Sequence, residues 1–330
     1  MSNTNVIILC LTVKNFFDII KKEGKTMGNQ KELMAEVALL YYKKGLTQQE
    51  IANTLQLTRQ TVSKLLTNAI QENVVEITIH NPQAERKELE TQLQALYGIH
   101  AIVSSVSKKQ DDLRKIATTQ MAVQYLSKRF QEDNLRIAIS WGRSVQAVVQ
   151  DFPTVHTKGH VVFPMFGATE HEQTYFLPNE LAREFAVKID AEVQFAWFPY
   201  QLENENDYTL FKRTHYFQHM QQEWDNLDIA LMGIGNHQIF QLLNPNFQKS
   251  EQSKMVIGDV ATHFFAKDGT SIDSNEWTLR ISQKQLKKVK EKIAIAYGDD
   301  KIDAIIGAIR AGFVDILITD EYTAMQLLKS

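Results

Sequence analysis

The stretch from Leu46 to Leu66 constrains this chain most, because it reads as two short helices joined by a tight turn. Thr47 and Glu50 have the T-x-x-E spacing of a capping box, and Thr58 is an N-cap candidate for the second helix. Apolar residues recur at helical spacing on one face of each segment: Ile51, Ala52, Leu55, Val62, Leu65 and Leu66. This pattern predicts a helix-turn-helix.

The polar side chains of the same stretch are of the types that reach base edges and phosphates. No acidic residue lies between Ile51 and Gln71, so DNA phosphates would meet no repulsion there. An ordinary helical hairpin with a solvated polar face is the alternative, but caps, spacing and charge together favour DNA binding. The predicted DNA-binding residues are Thr47, Gln48, Thr58, Arg59, Gln60, Thr61, Ser63 and Lys64.

The segment from Met34 to Ile79 closely resembles the N-terminal domain of SorC-family transcriptional regulators, a sugar-responsive group. The matching features are Tyr41-Tyr42, Gln49-Glu50-Ile51-Ala52, Thr58-Arg59, Val62-Ser63 and the closing Val75-x-Ile77 strand. The resemblance implies an all-α winged helix-turn-helix domain. The family usually has glycine in the turn near Gln56, so this turn is expected to form without a residue that favours positive φ.

A chain of 330 residues is long enough for two domains and a large core. The net charge is −3, so affinity for DNA must come from local placement of cations and from oligomerisation. The single cysteine, Cys10, fits a reducing cytoplasm. No apolar run approaches the length that spans a membrane.

Four segments are expected along the chain. Residues 1–27 are predicted to be a disordered or mis-annotated N-terminal extension, with translation beginning at Met27. Residues 28–82 form the helix-turn-helix domain, in which alternating Val75, Ile77 and Ile79 predict a wing strand. Residues 83–97 form a linker helix, whose leucines either pair with a second copy or pack on their own domain. Residues 98–330 form the effector-binding and oligomerisation domain.

In the larger domain, short β-branched strands alternate with helical stretches such as Leu113–Phe130 and Tyr208–Trp224. The strand segments are HAIVSSV, RIAIS, HVVFPMFG, EVQFAWF, DIALMGIG, KIAIAYG and DILITD. This alternation predicts an α/β domain with a mainly parallel sheet and helices on both faces. Ligands of such sheets bind at the loops beyond the carboxyl ends of the strands.

Three of those loops have residues suited to an oxyanion. The first, Trp141-Gly142-Arg143-Ser144, opens a helix and combines a glycine, a cation and a hydroxyl. The second is Gly167-Ala168-Thr169, and the third is Gly233-Ile234-Gly235-Asn236. A single loop of this kind is usually a tight turn, but three on successive strand ends favour a phosphate-sized pocket.

The motifs SWGRSV, LMGIG, IGDVATHFF and AIIGAIRAGFVDILITDEYTAMQLL resemble the effector domain of the SorC family. That domain is similar in fold to sugar-phosphate isomerases and CoA transferases, and the resemblance implies that it binds a phosphorylated sugar. Ala266 departs from the family pattern, which usually has aspartate there. Oxyanion loops and motif positions together give the predicted effector-binding residues: Gly142, Arg143, Ser144, Gly167, Ala168, Thr169, Gly233, Gly235, Asp259 and Asp320.

These features predict a cytoplasmic transcriptional regulator, expected to repress a carbohydrate-utilisation operon and to respond to a phosphorylated sugar. Its expected partners are operator DNA, the sugar and further copies of itself, as a dimer or a tetramer. We expect no cofactor, no catalytic residues and no metal; His215 and His219 have metal-ligand spacing, but packing or surface display is favoured. The alternative is a sugar-phosphate isomerase-like enzyme that carries a DNA-binding domain.

Overall fold

The computed structural model describes residues 27–76, 82–105, 111–169, 177–236, 252–272 and 277–330. The chain divides into two compact units between His80 and Asn81. The N-terminal extension up to residue 26, and Ile77 and Ile79 of the expected wing strand, lie outside the described residues. Val75 is not in a strand, and its N–H bonds to the carbonyl oxygen of Ala69 at 2.9 Å.

In the described part of the first unit, three helices pack around one small core. They are α1 (Met27–Ala38), which continues as a π-helical turn (Leu39–Lys43), α2 (Gln48–Leu55) and α3 (Arg59–Gln71). The apolar residues predicted from helical spacing are buried together with others: Met34, Val37, Ala38, Leu40, Ile51, Ala52, Leu55, Val62, Leu65, Leu66 and Ala69. The predicted helix-turn-helix is therefore confirmed, with α2 and α3 as its helices.

The turn between α2 and α3 depends on Gln56, which has φ 54° and ψ 37°. This left-handed conformation is one that glycine adopts freely and other residues adopt at a cost. Glutamine therefore takes the role that the missing glycine would have, and Leu57 closes the turn through a 2.9 Å bond from its N–H to the Ala52 carbonyl oxygen.

The second unit is built on a seven-stranded sheet in which each pair of neighbours is parallel. Its strands, in the order β1-β11-β10-β5-β2-β3-β4, are β1 (His100–Ser104), β2 (Arg136–Ile139), β3 (Val161–Pro164), β4 (Glu192–Val193), β5 (Ile229–Gly233), β10 (Glu291–Ile295) and β11 (Ile316–Asp320). Each of the seven strand segments predicted from the sequence contributes one strand to this sheet.

The described helices of this unit lie before, between and after the strands. They are α4 (Pro82–Tyr97), α5 (Asp111–Arg129), α6 (Arg143–Asp151), α7 (Pro178–Lys188), α8 (Glu205–Lys212), α9 (His215–Trp224), α10 (Gln283–Lys288), α11 (Ile302–Arg310) and α12 (Glu321–Leu327). From β2 the chain runs outward to β3 and β4, and from β5 it runs the opposite way to β10 and β11. The strand order thus reverses between β2 and β5, and their carboxyl ends form a switch point.

Two features of this unit differ from the prediction. The helical stretch Tyr208–Trp224 is divided into α8 and α9, because Thr214 begins a new helix by accepting a hydrogen bond from the Phe217 N–H. A four-stranded antiparallel sheet was not predicted, since its strands are only two or three residues long. They are β6 (Gly235–Asn236), β7 (Gly258–Val260), β8 (His263–Phe265) and β9 (Ser271–Ile272).

The connector helix α4 packs within the second unit, against β1 and α12. Leu93 is fully buried in the core, whereas Leu96 is 57% exposed. The Tyr97 hydroxyl donates to the Leu327 carbonyl oxygen at 2.8 Å, and a Glu90 carboxylate oxygen accepts from the Val103 N–H at 2.9 Å. Of the two roles considered for its leucines, packing on their own domain is observed for Leu93.

Candidate DNA interface and effector pocket

The candidate DNA interface is the polar face of α3 with the start of α2. The apolar face of α3 packs into the core of the first unit through Val62, Leu65 and Leu66. Ser63 and Lys64, which lie between these residues, face outward. The predicted DNA-binding residues are exposed, apart from the half-buried Gln48: Thr47, Thr58, Arg59, Gln60, Thr61, Ser63 and Lys64. The structure thus leaves Arg59, Ser63 and Lys64 accessible on one helix.

Three of these predicted residues also stabilise the helix starts. Thr47 and Glu50 form the predicted capping box, in which the Glu50 carboxylate accepts from the Thr47 N–H at 2.8 Å. Thr58 accepts a bond from the Thr61 N–H at 3.1 Å, and their hydroxyls are 2.8 Å apart. The hydroxyls of these threonines are therefore engaged inside the motif, and Arg59, Ser63 and Lys64 carry the stronger case for reading DNA.

A pocket opens at the switch point, at the carboxyl ends of β2 and β5. Its lining residues come from both strand ends, from the small antiparallel sheet and from the turn before α11: Ser140, Trp141, Gly142, Arg143, Ser144, Gly233, Ile234, Gly235, Asn236, Asp259, Ala261 and Lys301. Six of the ten predicted effector residues meet here, namely Gly142, Arg143, Ser144, Gly233, Gly235 and Asp259.

The loop after β2 forms one wall of the pocket. Gly142 is the N-cap of α6. Its φ of 118° is a conformation that residues with a side chain rarely adopt. Arg143 is exposed at the first position of the helix, where the backbone dipole favours an anion. Ser144 is buried, and burial raises the pKa of Tyr297, while Ser144 and Arg143 lower it.

Asp259 also lines the pocket and is almost completely buried. Its Oδ2 accepts a bond from the Thr262 N–H at 3.0 Å. Burial raises the pKa of Asp259 to about 6, while the Thr262 N–H and the charges of Lys301 and Arg280 act in the opposite direction. Ala261 and Thr262 make the hairpin turn with φ 47° and 65°, and Arg280 donates to the carbonyl oxygen and hydroxyl of Thr262.

Lys301 lines the pocket and was missed by the sequence analysis, because it belongs to no recognised motif. Burial lowers the pKa of its amine, whereas the charges of Asp300 and Asp259 raise it. Among the described residues, neither Lys301 nor Arg143 forms a salt bridge. The pocket therefore combines one buried carboxyl group with two cations that form no salt bridge within the described ranges.

Four predicted effector residues lie outside the pocket lining. The N–H groups of Gly167 and Ala168 already donate to the carbonyls of Leu279 and Phe198, at 3.0 and 2.8 Å, so these amides do not offer an oxyanion site. Gly167 is required for packing, since a Cβ there would lie 2.4 Å from the Pro199 backbone. Thr169 belongs to the same loop.

Asp320, the fourth, is fully buried and caps α12, accepting from the Thr323 N–H at 3.0 Å and from Arg114 Nε at 3.2 Å. Ala266, which departs from the family pattern, is also outside the pocket and bonds through its N–H to the Thr270 carbonyl. Its replacement of the usual aspartate therefore leaves the pocket lining unchanged.

The histidine pair on α9 is a surface feature. The rings of His215 and His219 are exposed and stacked, with centroids 5.9 Å apart. Within the ranges that the structure describes, no group of three His, Cys, Asp or Glu side chains is arranged to hold a metal ion.

Over the same ranges, no helix has both the length and the apolar character needed to cross a membrane.

Two family models match the chain. The Sugar-bind model, described as "Putative sugar-binding domain", matches residues 81–329, and the model of sigma-70 region 4 matches residues 31–72. The sorbitol operon regulator of Klebsiella pneumoniae is 30% identical over 308 residues, which cover 90% of this chain and 98% of that protein. The deoxyribonucleoside regulator of Bacillus subtilis (strain 168) is 24% identical over 309 residues, covering 91% and 98%.

Solved structures agree with these matches. The full-length sorbitol operon regulator SorC from Klebsiella pneumoniae superposes with a TM-score of 0.67 at 29% identity, covering 91% of this chain and 99% of that one. A transcriptional regulator from Streptococcus pneumoniae TIGR4 gives a TM-score of 0.68 at 26% identity, covering 76% and 98%. Fold and site thus define a transcriptional regulator with a helix-turn-helix and a sugar-binding domain. The chain belongs to the SorC family.

Proposed function

We propose that this protein is a repressor of a carbohydrate-utilisation operon and that a phosphorylated sugar or sugar alcohol, bound in the pocket at the switch point, releases it from its operator. The protein would act in the cytoplasm as a homo-oligomer, with paired α3 helices on a palindromic site. The relatives named for sorbitol and for deoxyribonucleosides make a small polyol or pentose the natural first class of ligand.

The observation that carries this proposal is the arrangement of charge in the pocket. Arg143, Lys301 and the N-terminus of α6 supply positive charge for a phosphate, which carries close to two negative charges at neutral pH. Asp259, in the same pocket lining, is suited to accept hydrogen bonds from sugar hydroxyls. An unphosphorylated sugar would bring no anion to either cation.

A thermal-shift measurement tests the ligand class. We expect sorbitol 6-phosphate, deoxyribose 5-phosphate or another phosphosugar of the same size to raise the melting temperature, since a ligand that binds only the native state stabilises it. The unphosphorylated parent should give a much smaller shift. Equal shifts from both compounds, or none from any phosphosugar, would contradict the proposal.

The variant Arg143→Ala should weaken binding of the phosphosugar by ~1.5–3 kcal/mol, the size of a charge-assisted hydrogen bond. Arg183→Ala is a matched control, because Arg183 is exposed on α7 and pairs with Glu180 outside the pocket. Isothermal titration with the phosphosugar gives both affinities. Equal losses in the two variants would remove Arg143 from the site.

One observation favours an enzyme instead, namely the pKa of Asp259 near 6, which lies close to where a general base operates. Purified protein incubated with pentose and hexosamine phosphates distinguishes the two functions. We expect binding without turnover, and isomerised product formed at a rate that Asp259→Asn abolishes would favour the enzyme.

A further inference from the structure

A buried arginine joins three elements next to the effector pocket. Arg114, on α5, is 1% exposed, and its guanidinium donates to Asp320, Asp299 and Thr323, each at 3.2 Å. A buried cation is costly unless it is paired and hydrogen-bonded, so these bonds hold their elements in a fixed arrangement. We refer to Arg114, Asp299, Asp320 and Thr323 as the Arg114 cluster.

One side of the Arg114 cluster reaches the pocket. Asp299 begins the 3₁₀ turn Asp299–Lys301, whose last residue lines the pocket. In the same turn, Asp300 accepts a 2.7 Å bond from Asn236, another lining residue. A ligand that contacts and displaces Lys301 or Asn236 therefore also displaces the turn Asp299–Lys301, whose first residue is bonded to Arg114.

The other side of the cluster reaches the connector helix. The Thr323 hydroxyl accepts from the Gly298 N–H at 3.1 Å, which ties the turn directly to the first turn of α12. Asp320 caps the same helix. At the opposite end of α12, the Leu327 carbonyl accepts the bond from the Tyr97 hydroxyl on α4. Residues N-terminal to α4 lead along the chain to the helix-turn-helix.

We propose that the Arg114 cluster transmits effector binding from the pocket to the connector helix α4, through the turn Asp299–Lys301 and α12. This inference rests on the proposed function, whose regulation it specifies. It gives Asp320 a part in transmission in place of the ligand contact predicted from the sequence. Such transmission requires that the turn and α12 have two arrangements. Both a ligand in the pocket and the state of α4 must shift the equilibrium between them, so a change at the pocket must alter α4 and a change at α4 must alter the turn.

Amide hydrogen exchange of the full-length, ligand-free protein tests this coupling from the pocket end. Asp299→Ala removes one acceptor from Arg114 at a side chain that is 38% exposed, so the fold should persist. We expect exchange in α12 and α4 to become about two- to tenfold faster, as loss of one hydrogen bond allows. The matched control is Asp303→Ala, which removes an exposed carboxylate paired with Lys267 outside the cluster and should leave α12 and α4 unchanged.

The reverse experiment starts at the connector. Tyr97→Phe removes only the hydroxyl that bonds to Leu327, and we expect faster exchange of the Gly298 and Lys301 amides, whose bonds lie in the turn. Unchanged exchange at the far end in both variants would overturn the proposal. A uniform rise that includes β5 would also overturn it, because that is general destabilisation.

These outcomes are separate from those of the proposed function. If no phosphosugar shifts the melting temperature, the ligand class is wrong, whereas the exchange experiments use no ligand and still decide whether pocket and connector are coupled. If a phosphosugar binds but the exchange at the far ends does not respond to either substitution, the ligand class stands and the transmission route through Arg114 is wrong.

Discussion

At the scale of single residues, Gln56 is held in a left-handed conformation that the family pattern normally gives to glycine. Replacing Gln56 by glycine would relieve this strain and stabilise the folded state by ~1–2 kcal/mol. The greater conformational freedom of glycine in the unfolded chain would cancel ~0.5–1 kcal/mol of that stabilisation. Gln56→Gly should therefore stabilise the helix-turn-helix by about 0.5–1 kcal/mol, measured by hydrogen exchange in α2 and α3. The control Lys64→Gly, inside α3, should instead destabilise it by about 1 kcal/mol.

Asp259 gives a second residue-scale prediction, for stability against pH. Its pKa in the folded protein is raised from 3.8 to about 6, so between these values the native state binds more protons than the unfolded state. The contribution of Asp259 to the free energy of unfolding is therefore fully present below pH 3.8 and is lost as the pH rises through 6. The total loss is ~3 kcal/mol.

Asp259→Asn removes this dependence while keeping an acceptor for the Thr262 N–H. The variant should melt at a higher temperature than the parent at pH 7.5, with a smaller difference at pH 5, and should bind the phosphosugar more weakly. A melting difference that does not change with pH would show that the carboxyl group is not the source of the effect.

The residues of the site differ in how far the sequence revealed them. Gly142, Arg143, Ser144 and Asp259 belong to motifs, and the structure brings them together. Lys301 lies on a turn after β10 whose approach to the pocket is set by strand order, which local sequence does not encode. Asp320 shows the reverse: it belongs to a recognisable motif, yet its carboxylate is used by Arg114, 206 residues earlier in the chain.

At the scale of elements, the small antiparallel sheet packs closely on α11. A Cβ at Gly258 would lie 2.6 Å from the Gly235 carbonyl oxygen and 2.7 Å from the Ala304 Cβ, so Gly258→Ala should destabilise the second unit by ~1–3 kcal/mol. At Gly233 a Cβ would meet its nearest atoms at 3.9 Å, an ordinary contact. Gly233→Ala should therefore keep the melting temperature and weaken phosphosugar binding, which denaturation and titration would measure side by side.

The central strands β5 and β11 were predictable because they are buried almost throughout and read as continuous apolar runs. The order of the strands was not, since parallel pairing joins segments distant in sequence. The strands β6 and β7 have only two and three residues, too short for an alternating pattern to appear. The break before α9 depends on one hydroxyl, at Thr214, in a segment whose apolar spacing continues on both sides.

At the scale of the whole molecule, DNA recognition and effector binding should be separable by mutation. Arg59→Ala and Ser63→Ala should lose operator affinity while leaving the phosphosugar thermal shift intact, because these residues lie in the first unit and the pocket lies in the second. Lys128→Ala, an exposed cation on α5, is the control for general electrostatic attraction. Normal operator affinity in both α3 variants would show that another surface reads the DNA.

The position of the pocket at the reversal of strand order has a consequence for how such sensors diversify. The carboxyl ends of β2 and β5 and the loops that follow supply nine of the twelve lining residues, whereas the strands supply much of the core. Substitutions at loop residues outside the core should change which metabolite is sensed without altering the strands or the operator that is read. A library confined to lining residues outside the core, such as Arg143 and Asn236, is therefore a direct route to biosensors with new ligand preferences on an unchanged promoter.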